Sequence, residues 1–250
     1  MSKISLVLAR LALLALFLGA WEVLPRYGLV NRDLLPPLSE VLAMLVNILG
    51  RPTVQEAIWV SGAEFLVAFA IAIPLGLAIG VVTAENDYIG DIFKPMLFYV
   101  FSVPKSIFLP MFILVFGIGF QQKVAYAAFS TVFIVIMSAA AAVESVKAEH
   151  LLVARSYGAT RAQVIARVYL PSMMPILLEA LRISMIFNFT GVLIAEMYAS
   201  RTGIGQLIAN WGENFQMPQL FAGVIFLATV AIVLNESVRA LEARCSTWRA

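Results

Sequence analysis

Five ionisable residues, Glu64, Lys105, Glu179, Arg182 and Glu196, stand inside stretches that are otherwise almost wholly apolar. A charge in hydrocarbon is costly, so such a residue pairs with another charge, faces a wet cavity or contacts a polar solute. Glu179 and Arg182 are three residues apart, within pairing reach on a helix. With Glu196 they share one helical stripe, with Ile186, Phe189 and Leu193 between them. One reading is a buried ion pair that positions the helix. The other is a cavity wall that contacts an anionic or zwitterionic solute through Arg182. Lys105, bracketed by Pro104 and Pro110, is either a second cationic contact or a snorkelling lysine that reaches lipid phosphates. The five residues together are the candidate lining of a solute pathway. Ser184, Asn188 and Gly191 fall towards the opposite side of their helix, where packing and interhelical hydrogen bonds are expected.

Catalytic chemistry has little to work with. The single histidine, His150, lies in a polar connector and reads as a solvated surface residue. The single cysteine, Cys245, excludes an intrachain disulfide and any multi-cysteine metal site. No G-x4-G-K-S/T stretch is present, so the chain has no P-loop for nucleotide phosphates. No nucleophile–base pair stands out in the apolar stretches, which argues against a membrane enzyme. The expectation is therefore no catalytic residue, no metal and no cofactor on this chain.

The elements that position the five charges follow from composition. Of 250 residues, 62% are hydrophobic and 13% charged, against about 45–50% and about 25% in soluble domains. A soluble fold of this size could not hide so much apolar surface, so lipid must be the solvent for most of it. The net charge of +2 is too small to argue for nucleic acid. A bilayer-spanning helix needs about 20 mostly apolar residues. Six segments qualify, at 4–24, 57–83, 96–118, 124–143, 173–198 and 219–240, within one transmembrane domain covering 1–250.

The first segment is read as a retained helix with Trp21 as an interfacial anchor; a cleaved signal peptide is the alternative. Ser39 to Leu49 is apolar but too short to span, and Ser39 is a candidate N-cap. The second segment repeats small residues at Ala68, Ala72, Gly76 and Gly80, which lets another helix approach closely, and Pro74 is expected to kink it. Residues 84–95 read as a polar link.

Lys and Arg placement sets the orientation. With both termini in the cytoplasm, that side holds Lys3, Lys94, Lys147, Arg155, Arg161, Arg167, Arg239, Arg244 and Arg249. The outer side holds Arg26, Arg32, Arg51, Lys123 and Arg201. Residues 144–171 are too charged to span and fall in the cytoplasm. They read as two short helices around Gly158. Thr160 is a candidate N-cap, Gly158 a left-handed turn, and Pro171 the start of the next span. Val164, Ile165 and Val168 share a face between basic flanks. Composition leaves two roles open, an amphipathic pair on anionic lipid or a docking site for a protein.

The pattern Ala154, Gly158-Ala159, then Val168-Tyr169-Leu170-Pro171 resembles the cytoplasmic loop motif EAA-x3-G-x9-I-x-L-P of ABC importer permeases, with the glycine-to-proline spacing unbroken. Leu35-Pro36-Pro37-Leu38-Ser39-Glu40-Val41-Leu42 resembles the P-S-P-x-E-V-L block of the nitrate/sulfonate/taurine-type members. Pro104 to Pro110 followed by Phe116-Gly117-Ile118-Gly119 resembles their P-x5-P…FGIG block. Ala195-Glu196-Met197 with Gly203-Ile204-Gly205 resembles their AEM…GLG block. The likeness spans nearly the whole chain. It departs at Leu152 and Val153, where the motif has glutamate and alanine. It also departs at Glu64, near which many relatives carry a basic residue; the partner of Glu64 is not visible in the sequence.

The resemblance implies an all-α membrane protein with the type I ABC transporter transmembrane fold. In that family the loop is a coupling helix that docks on a separate ATP-binding subunit, which explains a small Gly158 and the missing P-loop. The implied coupling residues are Ala154, Arg155, Gly158, Ala159, Arg161 and Pro171. The implied partners are two cytoplasmic ATP-binding subunits holding ATP and magnesium, a second copy of the chain, and an extracytoplasmic solute-binding protein. The implied function is import across the bacterial inner membrane, by alternating access, of a small solute such as a sulfonate, taurine, nitrate or a pyrimidine precursor. An ion-coupled secondary transporter is the competing class; it often shows inverted repeats, and no clear internal repeat is present.

Overall fold

A computed structural model describes residues 3–245. The elements are α1 (Lys3–Arg26), α2 (Leu38–Leu49), α3 (Pro52–Glu85), α4 (Asp87–Ser102), α5 (Leu109–Phe116), α6 (Phe120–Glu144), α7 (Ala148–Ser156), α8 (Arg161–Val164), α9 (Leu170–Tyr198), α10 (Ile204–Glu213) and α11 (Met217–Cys245). Among the described residues there are no strands. Five helices among the described residues are long and apolar enough to cross a membrane, and there are six if the bent pair α4 and α5 is taken as one span. Side chains such as Leu16, 70% exposed, and Leu114, 86% exposed, face outward, as lipid-facing positions must.

The centre is α6, packed along both α3 and α9. Small residues make this possible. Ala68, Ala72, Ala127 and Ala139 are fully buried. A Cβ on Gly80 would lie 2.6 Å from Ala139 Cβ, and one on Gly191 3.1 Å from Ala127 Cα. Without a hydrophobic force between helices in lipid, such close backbone approach is what holds them. Asn188 adds polar ties: its Nδ2 donates to the Phe65 carbonyl at 2.8 Å, and Thr131 Oγ1 donates to its Oδ1 at 3.3 Å. Pro74 remains inside the continuous helix α3.

The third span differs from expectation. Helix starts at Asp87, inside the stretch read as a polar link, and stops at Ser102. The chain then turns by 88° before continuing through a 3₁₀ turn at Lys105–Phe108 into α5. Pro104 stands at the break: it disfavours a helical conformation at the preceding residue, and Val103 is extended at φ −76°, ψ 131°.

At the end of the bundle that carries α2 and α10, Val41 and Ile48 pack with Ile204, Ile208 and Trp211, over Val54 and Ala57 of α3 and Ala222 of α11. Ser39 does not cap α2. It lies inside the first turn, and its N–H and hydroxyl both donate to the Glu22 carboxylate of α1 at 2.9 Å, so an acidic side chain from another helix satisfies the exposed amide. Trp21 Nε1 donates to the Pro36 carbonyl at 3.1 Å. At the opposite end, Lys94 bridges to Glu144 at 2.6 Å, where α6 gives way to α7.

Gly80→Ala is expected to lower the unfolding midpoint of detergent-purified protein, at a cost of about 1–3 kcal/mol for overpacking. Gly62→Ala, where a Cβ meets nothing within 4 Å, should be neutral or slightly stabilising. Thermal melts of the two variants check this.

Candidate functional site

Two constructions stand out, one at each end of the central helices. The first is a buried charge cluster. Glu64 of α3, Lys123 of α6 and Glu196 of α9 are 0%, 1% and 0% exposed. Lys123 Nζ pairs with Glu64 Oε1 and donates to the Thr202 carbonyl at 3.0 Å. Ser61 Oγ donates to Glu196 Oε1 at 2.5 Å and accepts from the Ile204 N–H at 2.9 Å. The Gly205 N–H donates to Glu196 Oε2 at 2.7 Å. Glu196 thus caps the first turn of α10 from the end of α9, where a carboxylate also meets the positive end of the helix dipole.

The two glycines follow from this geometry. Gly203 has φ +119°, and a Cβ there would collide with the Glu196 carboxylate; one on Gly205 would lie 2.8 Å from the Leu193 carbonyl. The Glu196…Gly203-Ile204-Gly205 spacing is therefore that of a carboxylate with the bare backbone it must touch.

The second construction is the α7–α8 turn. The Ala159 N–H donates to the Ala154 carbonyl at 3.1 Å and the Gly158 N–H to the Arg155 carbonyl at 2.9 Å. With Gly158 at φ +72°, this is a Schellman ending of α7. Thr160 and Gln163 then form a capping box. The Thr160 N–H donates to Gln163 Oε1 at 2.8 Å, and the Gln163 N–H to Thr160 Oγ1 at 3.4 Å. A Cβ on Gly158 would meet nothing within 4 Å, so within the chain glycine serves the backbone angle, not the space. Arg155 is exposed and Ala154 and Ala159 are half-buried; the Arg161 side chain lies outside the described residues. Pro171 does not close the segment. The helix runs on from Ala162 to Tyr198, with a π-helical turn at Ile165–Tyr169 just before the proline, whose missing N–H such a widened turn accommodates.

A family model described as "Binding-protein-dependent transport system inner membrane component" matches residues 72–247. The chain belongs to this family. The match takes in Lys123, the α7–α8 turn, Glu196 and the two glycines. Among relatives, the taurine transport system permease protein TauC of Escherichia coli (strain K12) is 30% identical over 240 residues, covering 94% of this chain and 87% of that one. The putative aliphatic sulfonates transport permease protein SsuC of Bacillus subtilis (strain 168) is 29% identical over 240 residues, covering 96% and 87%. The fold is shared with the MetNI methionine ABC transporter in an inward-facing form (TM-score 0.69, 17% identity, 77% of this chain and 96% of that one). It is also shared with a bacterial ABC transporter involved in import of the acidic polysaccharide alginate (TM-score 0.68, 15% identity, 95% of each). The chain is thus a permease subunit of the type I fold.

Three sequence expectations change. Glu64 and Glu196, read as candidate pathway residues, are fully buried within the chain and held in the cluster. Lys123, expected in an outer connector, is buried in the first turn of α6 and supplies the partner of Glu64. The stripe from Glu179 to Glu196 is not one wall. Glu179 is exposed, and Arg182 lies 3.7 Å from both Glu179 and Glu242 of α11, so it ties two helices near the α7–α8 end. Ser61 was not singled out at all; a serine between apolar residues gives no signal unless the helix opposite it is known.

Lys123→Met should strand Glu64 and cost about 3–5 kcal/mol, whereas Glu64→Gln with Lys123→Met should recover a large part of that loss. Unfolding of the single and double variants in detergent measures the difference.

Proposed function

We propose that this permease is the membrane-spanning half of an ATP-driven importer for a small anionic solute of the sulfonate class, working as a homodimer with two cytoplasmic ATP-binding subunits. The observation that carries the reading is the surface of α7 and the turn. On a segment too charged to enter lipid, Leu152 is 64% exposed, Val153 57%, Tyr157 88% and Ile165 52%. An apolar patch of this kind, rimmed by Arg155 and Arg167, is the form of a protein-docking surface. Leu152 stands where the family motif has glutamate, so docking here rests on apolar contact and not on a salt bridge from that position.

On this reading ATP and magnesium sit on the partner subunits, and the turn passes their closure to α9, which runs unbroken to Glu196. The surfaces at 26–56 and 199–217 face outside and receive a solute-binding protein, both termini are cytoplasmic, and the membrane is the bacterial inner membrane. The dimer alternates between inward and outward access. Sulfonate as the solute class draws on the taurine and aliphatic sulfonate systems to which the relatives belong.

Gly158→Trp is expected to leave the protein inserted and folded, because its Cβ direction is open, while abolishing solute-stimulated ATPase activity in the assembled complex. Normal stimulation in that variant would overturn the docking assignment. ATP-independent uptake driven by a proton or sodium gradient would overturn the class.

A further inference from the structure

The membrane interior holds a second lysine with very different surroundings from Lys123. Lys105 opens the 3₁₀ turn that follows the 88° bend between α4 and α5. Its ammonium donates to the Phe101 carbonyl, lies 4.4 Å from the centre of the Phe101 ring, and is 5.8 Å from that of Phe133. Phe133 is near the midpoint of α6, so the charge stands at mid-depth. Lys123 has a carboxylate partner; Lys105 has none among the described residues.

The ammonium borders a cavity of about 570 Å³ between the bend, α6 and α9. That volume falls within the range of small-molecule sites, about 300–1,000 Å³. Ser106 and Thr190 bring hydroxyls to its wall, and Phe101, Ile186 and Phe187 bring apolar surface. No Asp or Glu lines it.

We infer that this cavity is an anion-binding subsite, in which Lys105 holds the acidic group of a small organic anion while the apolar part of that anion lies on Phe101, Ile186 and Phe187. An ammonium has three donors, and one is used on the Phe101 carbonyl. Ring faces lower the cost of the charge but do not neutralise it, and the half-buried Lys105 ammonium, with no carboxylate partner among the described residues, has donors left to offer an anion in the cavity. The hydroxyls suit the remaining oxygens of a sulfonate or carboxylate. The bend caused by Pro104 is what carries a lysine to this depth, because an unbroken helix would have carried its apolar stripe straight on.

This deepens the proposed function and rests on it for the identity of the anion, not for the presence of the site. The test has two arms. In nanodiscs of purely zwitterionic lipid, ethanesulfonate should raise the melting midpoint of the permease and of Lys105→Arg, but not of Lys105→Met. In proteoliposomes holding the full complex, Lys105→Met should reduce ATP-dependent ethanesulfonate uptake about ten- to a hundredfold, the loss expected for one charged hydrogen bond, and Lys105→Arg should restore a large part of it.

Equal ethanesulfonate stabilisation of wild type and Lys105→Met would overturn the inference. So would a Lys105 whose only detectable effect is on the apo melting midpoint, since it would then merely cap α4. Retention of phosphatidylglycerol by wild type and not by Lys105→Met, with no response to ethanesulfonate, would assign the ammonium to a lipid phosphate and also overturn it. A wild-type complex with Lys105-dependent ethanesulfonate binding but no ATP-dependent uptake would sink the importer reading and leave the subsite standing.

Discussion

The ion pair between Glu64 and Lys123 is the constraint around which the half of the molecule that carries α2 and α10 is arranged. Two opposite charges have been taken out of water into the contact between α3 and α6, at positions 0% and 1% exposed. Such burial is stable only if each charge keeps a partner and its remaining hydrogen-bonding capacity is met. The Thr202 carbonyl takes a further donor of Lys123, and this draws the α9–α10 connector over the pair. Glu196 and Ser61 then fix the start of α10 by its own amides. The amphipathic helices α2 and α10 close that end as one apolar cluster over these polar ties.

The same cluster sets the geometry of the opposite end. α9 is held at Glu196, and it packs along α6 through Gly191 and Asn188. It reaches the α7–α8 turn without a break, through the π-helical turn before Pro171. Arg182 ties it to Glu242 of α11 on the way. A displacement of the turn is thus a displacement of a rod anchored at its far end, with close backbone contacts along its length. Rigid packing of this kind transmits movement as a body and does not absorb it locally.

Between the two ends, the broken third span is the least regular part. Its break is local in cause, since Pro104 disfavours a helical Val103, which is extended here. Its consequence is not local. The bend brings Lys105 within 5.8 Å of the Phe133 ring of α6, beside the middle of α9. Two lysines in one apolar chain therefore have opposite fates. Lys123 is paired with a neighbour and supports the fold, while Lys105 has no carboxylate partner among the described residues and borders a cavity.

By itself the sequence determined the solvent, the number of spans and the turn. Composition settles the first, stretches of about 20 apolar residues the second, and the Gly158 and Thr160 pattern the third, because capping and left-handed turns are decided within a few residues. The family motifs were legible for the same reason, as short fixed spacings. Tertiary structure alone decided which charges meet. Glu64 and Lys123 lie on different helices, and the stripe from Glu179 to Glu196 looked continuous only because periodicity describes one helix and not its neighbours. Lys123 has a connector's sequence context, yet α6 begins at Phe120, directly after Gly119, and takes it into the bundle. Burial, pairing and the lack of a partner at Lys105 depend on how helices cross, and that is set by the small residues at their contacts and by the bend at Pro104, acting together over the whole bundle.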